Sequence, residues 1–167
     1  MTAITRRSPR IRVPDLGPRG EGWVALQVLL LAAILGAGFL GPLWSGPART
    51  VGAIAGLALV TAGIGLVTAG ILRLRAQLTA FPRPMPGGRL IADGVFGLVR
   101  HPMYGGGVLV AFGWGLAMAS PATLAGTLVL AVFFDLKSRR EEAWLGEQFG
   151  EYAAYRRRTR RLVPWLY

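Results

Sequence analysis

The chain has 167 residues, of which 53% are hydrophobic and only 16% charged, with a mean hydropathy of +0.46 and a formal charge of +11. A soluble domain carries about 25% charged residues, and a disordered chain needs low hydrophobicity, so disorder is excluded. With no cysteine and a single histidine, disulfides, thiolate metal sites and a cysteine nucleophile are excluded too, and a histidine-based metal cluster is disfavoured.

The length fits one domain. Its basic residues are 18 Arg and one Lys, a usage that points to a GC-rich, bacterial genome. The chain has no Asn and hence no N-glycosylation site. Residues 1–21 form a basic N-terminal tail with Arg6, Arg7, Arg10, Arg12 and Arg19 interspersed with proline. This tail is expected to be mobile and to lie against anionic lipid, where each basic residue contributes about 1 kcal/mol. Arg6-Arg7 ahead of an apolar run also resembles a twin-arginine export signal, but that run is long for a signal peptide and further apolar runs follow.

The charge pattern beyond the tail carries the fold assignment. Residues 22–48, 50–72 and 102–134 contain no charged side chain. A membrane-spanning helix needs about 20 apolar residues to cross a hydrocarbon layer about 30 Å thick. The first two runs supply one span each, at about 23–44 and 51–72. The third is too long for one ordinary span and is divided by Ser120-Pro121. Serine is a good N-cap and proline suits the first helical turn, so a helical hairpin is expected, with arms at 104–119 and 121–135. The second arm continues as a charged helix, because no proline occurs from Asp135 to Phe149.

Counting basic residues tests this topology. With four spans, the tail, the second loop (Arg73, Arg75, Arg83, Arg89, Arg100) and the C-terminal segment (Lys137 and seven Arg) share one side, which then holds 18 of the 19 basic residues. The expected protein is therefore all-α, an integral protein of the plasma membrane with four transmembrane helices. The last two form the hairpin, both termini are cytoplasmic, and residues 136–167 form a cytoplasmic helical segment. Residues 22–167 make up the membrane domain. The lipid bilayer is its expected partner. Nucleic acid is not, because the arginines flank membrane spans.

Several glycine patterns admit a chemical reading that the context denies. Gly36-x-Gly38-x-x-Gly41 matches a dinucleotide-binding pattern, which works only between a strand and a helix. Here it lies inside an apolar span. It reads as close helix packing, as do Gly52/Gly56 and Gly63/Gly65/Gly70.

Two polar stretches meet at the cytoplasmic membrane edge if the hairpin forms. The first ends in Arg100-His101-Pro102-Met103-Tyr104-Gly105-Gly106-Gly107 and the second contains Arg139-Arg140-Glu141-Glu142. Arg100 can clamp a carboxylate, and His101 can exchange a proton near neutral pH. Pro102 keeps His101 out of the helix, and Tyr104 adds a flat face and a hydroxyl. The three glycines would let a ligand approach the backbone. Adjacent glutamates diverge by about 100° on a helix, so one of the pair faces the pocket while the other meets solvent or Lys137. Read alone, the first group could equally be interfacial anchors and the second a solvated face.

These residues, in this order, resemble the membrane methyltransferases of the isoprenylcysteine carboxyl methyltransferase and phospholipid methyltransferase superfamily. The resemblance runs from Thr79-x-Phe-Pro82-x-Pro84 and Leu90-Ile-x-Asp93-Gly94 through Arg100-His101-Pro102-Met103-Tyr104-x-Gly106 and Glu141-Glu142-x-x-Leu145. It ends with Phe149-Gly150-x-Tyr152-x-x-Tyr155 and Arg161-Leu-Val-Pro164. It implies an integral membrane enzyme that uses S-adenosyl-L-methionine, binds no metal and methylates a lipophilic substrate entering from the bilayer. That substrate is an isoprenylcysteine-like carboxylate or a phospholipid amine. It further implies a cofactor pocket made by Arg100, His101, Tyr104, Gly106, Glu141, Glu142, Tyr155 and Arg161, closed by the C-terminal segment, with His101 and Glu142 as the catalytic candidates. The chain departs from the family pattern at Phe96, where members often carry a tyrosine. Two alternatives remain at this stage: an NADPH-dependent membrane reductase of the sterol-reductase type, and a non-catalytic membrane packing or adaptor protein.

Overall fold

A computed structural model describes residues 13–163; Arg6, Arg7, Arg10 and Arg12 of the basic tail, and Pro164 of the last motif, lie outside them. Five α-helices follow one another: α1 (Glu21–Ala37), α2 (Gly46–Leu74), α3 (Pro102–Ala117), α4 (Pro121–Gln148) and α5 (Tyr152–Arg158). The described residues contain no strand beyond one parallel bridge between Val99 and Arg160.

The first apolar run does not make the helix expected over 23–44. Helix α1 stops at Ala37 because Gly38, Gly41 and Pro42 follow, and Gly41 adopts φ +101°, a conformation open mainly to glycine. At 17 residues α1 is about 26 Å long. Conversely, α2 starts earlier than 51, with Ser45 at its N-cap and Pro47 in its first turn. Arg49 therefore belongs to the helix and not to the loop. Helix α3 begins at Pro102 and ends at Ala117, near the expected 104–119.

The hairpin turn forms as its chemistry demands. The Ser120 hydroxyl caps α4 by accepting from the Thr123 amide at 3.2 Å, and it donates to the Ala37 carbonyl at 2.9 Å, which ties the turn to the end of α1. Helix α4 then runs unbroken for 28 residues, from an apolar half into the charged stretch after Phe134.

Packing runs from α2 to α3, from α3 to α4 and from α4 to α1. The antiparallel α2–α3 contact is built on glycines seven residues apart. Gly56 and Gly63 face Gly113 and Gly106. A Cβ at Gly63 would lie 2.6 Å from the Gly106 carbonyl oxygen, and one at Gly106 would lie 2.7 Å from that of Gly63. Small residues let membrane helices approach this closely. Gly38, Gly52 and Gly70 also pack closely, against Trp114, Leu116 and Met103, but Gly36, Gly41 and Gly65 face open space, contrary to the packing role expected for them.

Among the described residues only α2 and α4 are long and apolar enough by themselves to cross a membrane; α1 is a shorter apolar helix. Little of the apolar part of α2 is buried, and Val51, Ile54, Leu57, Ile64 and Leu72 are exposed on it. That surface belongs in lipid. The last residues ahead of α1, expected in a mobile tail, are packed. The Trp23 indole donates to the Pro14 carbonyl (3.1 Å), Arg83 donates to the Pro18 carbonyl (2.9 Å), and Arg19 lies over the Phe81 ring.

Candidate active site

The two polar stretches converge. Pro102 leaves His101 at the N-cap of α3 with φ −127°, and the chain just before it pairs with the C-terminal segment. The amides of Arg100 and His101 donate to the carbonyls of Arg160 and Arg161 at 2.8 and 3.0 Å. The charged half of α4 passes alongside, carrying Glu141 and Glu142.

Glu142 is the centre of a buried ion cluster. Its carboxylate accepts from Arg100 Nε at 2.8 Å and Arg161 Nε at 3.2 Å, lies 3.3 Å from His101 Nε2, and has Arg156 within 3.6 Å. It is only 5% exposed. Burial by itself raises a carboxyl pKa, but hydrogen bonds and charge from His101, Arg161 and Arg100 overcome that and hold Glu142 far below the ordinary glutamate range. Arg100 is spent on this cluster and on the C-terminal segment, where it also donates to the carbonyls of Arg156 and Thr159. The Tyr155 hydroxyl donates to the Phe96 carbonyl at 2.7 Å, so position 96 contributes its backbone where the family pattern has a tyrosine hydroxyl.

Glu141 looks the other way. It accepts from the Tyr104 hydroxyl at 2.7 Å and lies 3.7 Å from His101 Nδ1. His101, Tyr104 and Phe134 form a stack with ring centroids 5.3 and 4.7 Å apart and nearly parallel planes. This stack forms one wall of a cavity of about 520 Å³, a normal size for a small-molecule site. Its apolar wall comes from α1, through Leu31, and α2, through Val67, Ile71 and Leu74; a lid comes from Phe81, Pro82 and Leu90 of the second loop.

Of the residues expected in a pocket, Arg100, His101, Tyr104, Glu141 and Tyr155 line this cavity, whereas Glu142, Arg161 and Gly106 do not. Glu142 and Arg161 stand behind the lining and hold it together. Gly106 packs on Gly63, because helix contact claims the space that a ligand would need. The neighbouring glycines are also taken up by protein: a Cβ at Gly105 would meet the Leu162 carbonyl and one at Gly107 the Phe134 ring. The polar lining residues not expected in a pocket from sequence include Gln27, Lys137 and Tyr152. Tyr152 was visible within its motif, and Lys137 as the only lysine. Nothing in the sequence pointed to Gln27.

An all-helical membrane-type fold with a polar cluster opening into an apolar cavity defines the class, and comparison with known proteins gives the family. The chain belongs to the phospholipid methyltransferase family, whose profile matches residues 51–152, more than half of the sequence. A probable protein-S-isoprenylcysteine O-methyltransferase of Oryza sativa subsp. indica is 38% identical over 80 residues, 47% of this chain and 42% of that protein. The protein-S-isoprenylcysteine O-methyltransferase of Schizosaccharomyces pombe is 36% identical over 79 residues, 46% of this chain and 34% of its own. A Delta(14)-sterol reductase of Arabidopsis thaliana is 31% identical over 87 residues, 50% of this chain but 22% of its own. The chain thus spans less than half the length of these relatives.

Proposed function

We propose that this chain is an integral membrane methyltransferase that uses S-adenosylmethionine and methylates a lipophilic acceptor, an isoprenylcysteine-like carboxylate or a phospholipid amine. The observation that carries the reading is the cavity itself. One end is polar, with Glu141, His101 and Tyr104, and the other is apolar and bounded by helices whose outer faces belong in lipid. The domain comprises residues 22–167. It crosses the plasma membrane four times, with α1 and α3 as the short spans and both termini cytoplasmic, in keeping with the sorting of arginines.

The lining fits the cofactor. The Tyr152 hydroxyl is buried, borders the cavity and has no hydrogen-bond partner among the described residues, as expected of a group that serves a ligand. Glu141 supplies a carboxylate for the ammonium or sulfonium, and the His101–Tyr104 stack offers flat faces. Arg100, Tyr155, Glu142 and Arg161 hold the C-terminal segment over the pocket, and Gly106 sets the approach of α3 to α2. The bound cofactor supplies a methyl group on a positively charged sulfur. The protein has to align the acceptor with it and exclude water.

A carboxylate acceptor needs no base, whereas an amine must lose a proton. Glu142, a catalytic candidate from sequence, is unsuited to that task, because a carboxylate with so depressed a pKa does not take up a proton near neutral pH. His101 is the proton acceptor in this reading, and Glu142 is a positioning residue.

The test is to incubate the full chain in nanodiscs with lipid extract and methyl-labelled S-adenosylmethionine and to analyse the lipids by mass spectrometry. A labelled lipid that depends on the protein is expected. The sterol-reductase relative makes reduction with NADPH the second reading. Tight NADPH binding without S-adenosylmethionine binding would overturn the first in its favour.

A further inference from the structure

Lys137 sits where a cation is costly. It is 2% exposed, lies about half a turn beyond the apolar part of α4 and borders the cavity. Its ammonium donates to Gln27 Oε1 at 2.5 Å and lies 5.2 Å from the Tyr104 ring centroid. Among the described residues no carboxylate comes within 4 Å of it. Glu141, one turn further on, is engaged by Tyr104 and His101, Glu142 by Arg100, His101 and Arg161, and Asp135 by Arg139 and Arg161.

A buried charge is strongly disfavoured unless it is paired. An ammonium has three donors, and the structure uses one. The Gln27 amide contributes two further N–H donors that have no partner among the described residues. Among the described residues Glu141 acts on Lys137 through space but does not contact it, so the remaining ammonium donors lack a contacting acceptor, and the cavity is where an anionic one can come from.

We infer that Lys137 and Gln27 form a carboxylate-binding subsite inside the cavity. The inference builds on the methyltransferase reading, within which a carboxylate has two sources: the amino-acid end of the cofactor, or a lipophilic acid acceptor. In either case the subsite fixes one end of a ligand whose other end lies against the His101–Tyr104 stack.

Calorimetry on the full chain in nanodiscs tests this with two matched pairs of probes. The first pair is S-adenosylhomocysteine and its decarboxylated analogue; the second is S-dodecylthioacetic acid and its methyl ester. Lys137→Met is expected to weaken binding of the carboxylate-bearing member of one pair tenfold or more and to leave the other member within twofold. Lys137→Arg should retain most of the affinity, and the pair that responds identifies the source. Gln27→Leu, which leaves the buried charge in place, should show the same selectivity with a smaller loss, and it keeps the test valid if Lys137→Met fails to fold. Equal losses in both members, or no loss in either, overturn the subsite. Failure of the unmutated chain to bind S-adenosylhomocysteine would instead count against the methyltransferase reading, and the acid–ester pair would still decide the role of Lys137. Failure of the unmutated chain to bind either pair overturns both.

Discussion

Glu142 accepts hydrogen bonds from two guanidinium groups and faces His101 Nε2, which makes its ionised form part of the fold. Its folded-state pKa lies below the ordinary value of 4.5, so its contribution to stability is complete above about pH 5 and is lost as pH falls through the depressed value. Melting curves should therefore be flat with respect to this group from pH 7 to 5, and the melting temperature should then fall with acid. In Glu142→Gln that acid-dependent component should be missing, although the variant is less stable at pH 7 because Arg100 and Arg161 lose their counter-charge. An equal acid slope in both proteins would remove Glu142 from the account. Arg100→Ala or Glu142→Ala should weaken S-adenosylmethionine binding tenfold or more, about 1.4 kcal/mol, by releasing the C-terminal segment from the cavity wall. Affinities unchanged in calorimetry would show that the wall holds without them, and absence of any ligand for the unmutated chain would favour the adaptor reading. Sequence could bring these residues together because Pro102 and the Glu pair are local signals joined by one hairpin. It could not reveal that Glu142 points into the cluster and Glu141 into the cavity, because the helix phase is set by packing.

At the scale of elements, the α2–α3 contact shows which part of a glycine pattern matters. Gly63 and Gly65 are two residues apart on one helix, yet a Cβ at Gly63 would meet the backbone of Gly106 and Val110 while one at Gly65 meets nothing within 4 Å. Gly63→Val should therefore cost at least about 1–3 kcal/mol by overpacking and lower the melting temperature in detergent. Gly65→Ala should be neutral or stabilise by up to about 1 kcal/mol through helix propensity. Similar shifts in the two would mean that the helices are not in van der Waals contact there. Charge-free runs located all four apolar segments, and Ser120-Pro121 located the turn, because capping is local chemistry. The end of α1 was misplaced because an apolar loop looks, by charge alone, like an apolar helix. Gln27 and Lys137 were missed because their contact joins positions 110 residues apart and exists only once α1 packs on α4.

At the scale of the whole molecule, the function rests on the polar cluster and the apolar cavity facing one aqueous compartment. In the four-crossing reading the second loop and the C-terminal segment lie together, and the ion pair joining Arg100 to Glu142 already requires those segments to share a side. What must be established is that the α1–α2 connection lies on the other side. The absence of cysteine makes the chain its own background for single-cysteine labelling. Leu43, in that connection, is 77% exposed, and Glu147, near the end of α4, is also exposed. In sealed cells a membrane-impermeant maleimide should label Leu43→Cys but not Glu147→Cys, and permeabilisation should make Glu147→Cys reactive. Labelling of both in intact cells, or of neither until the membrane is opened, would mean that α2 does not cross, and the cavity would then lose its lipid-facing wall.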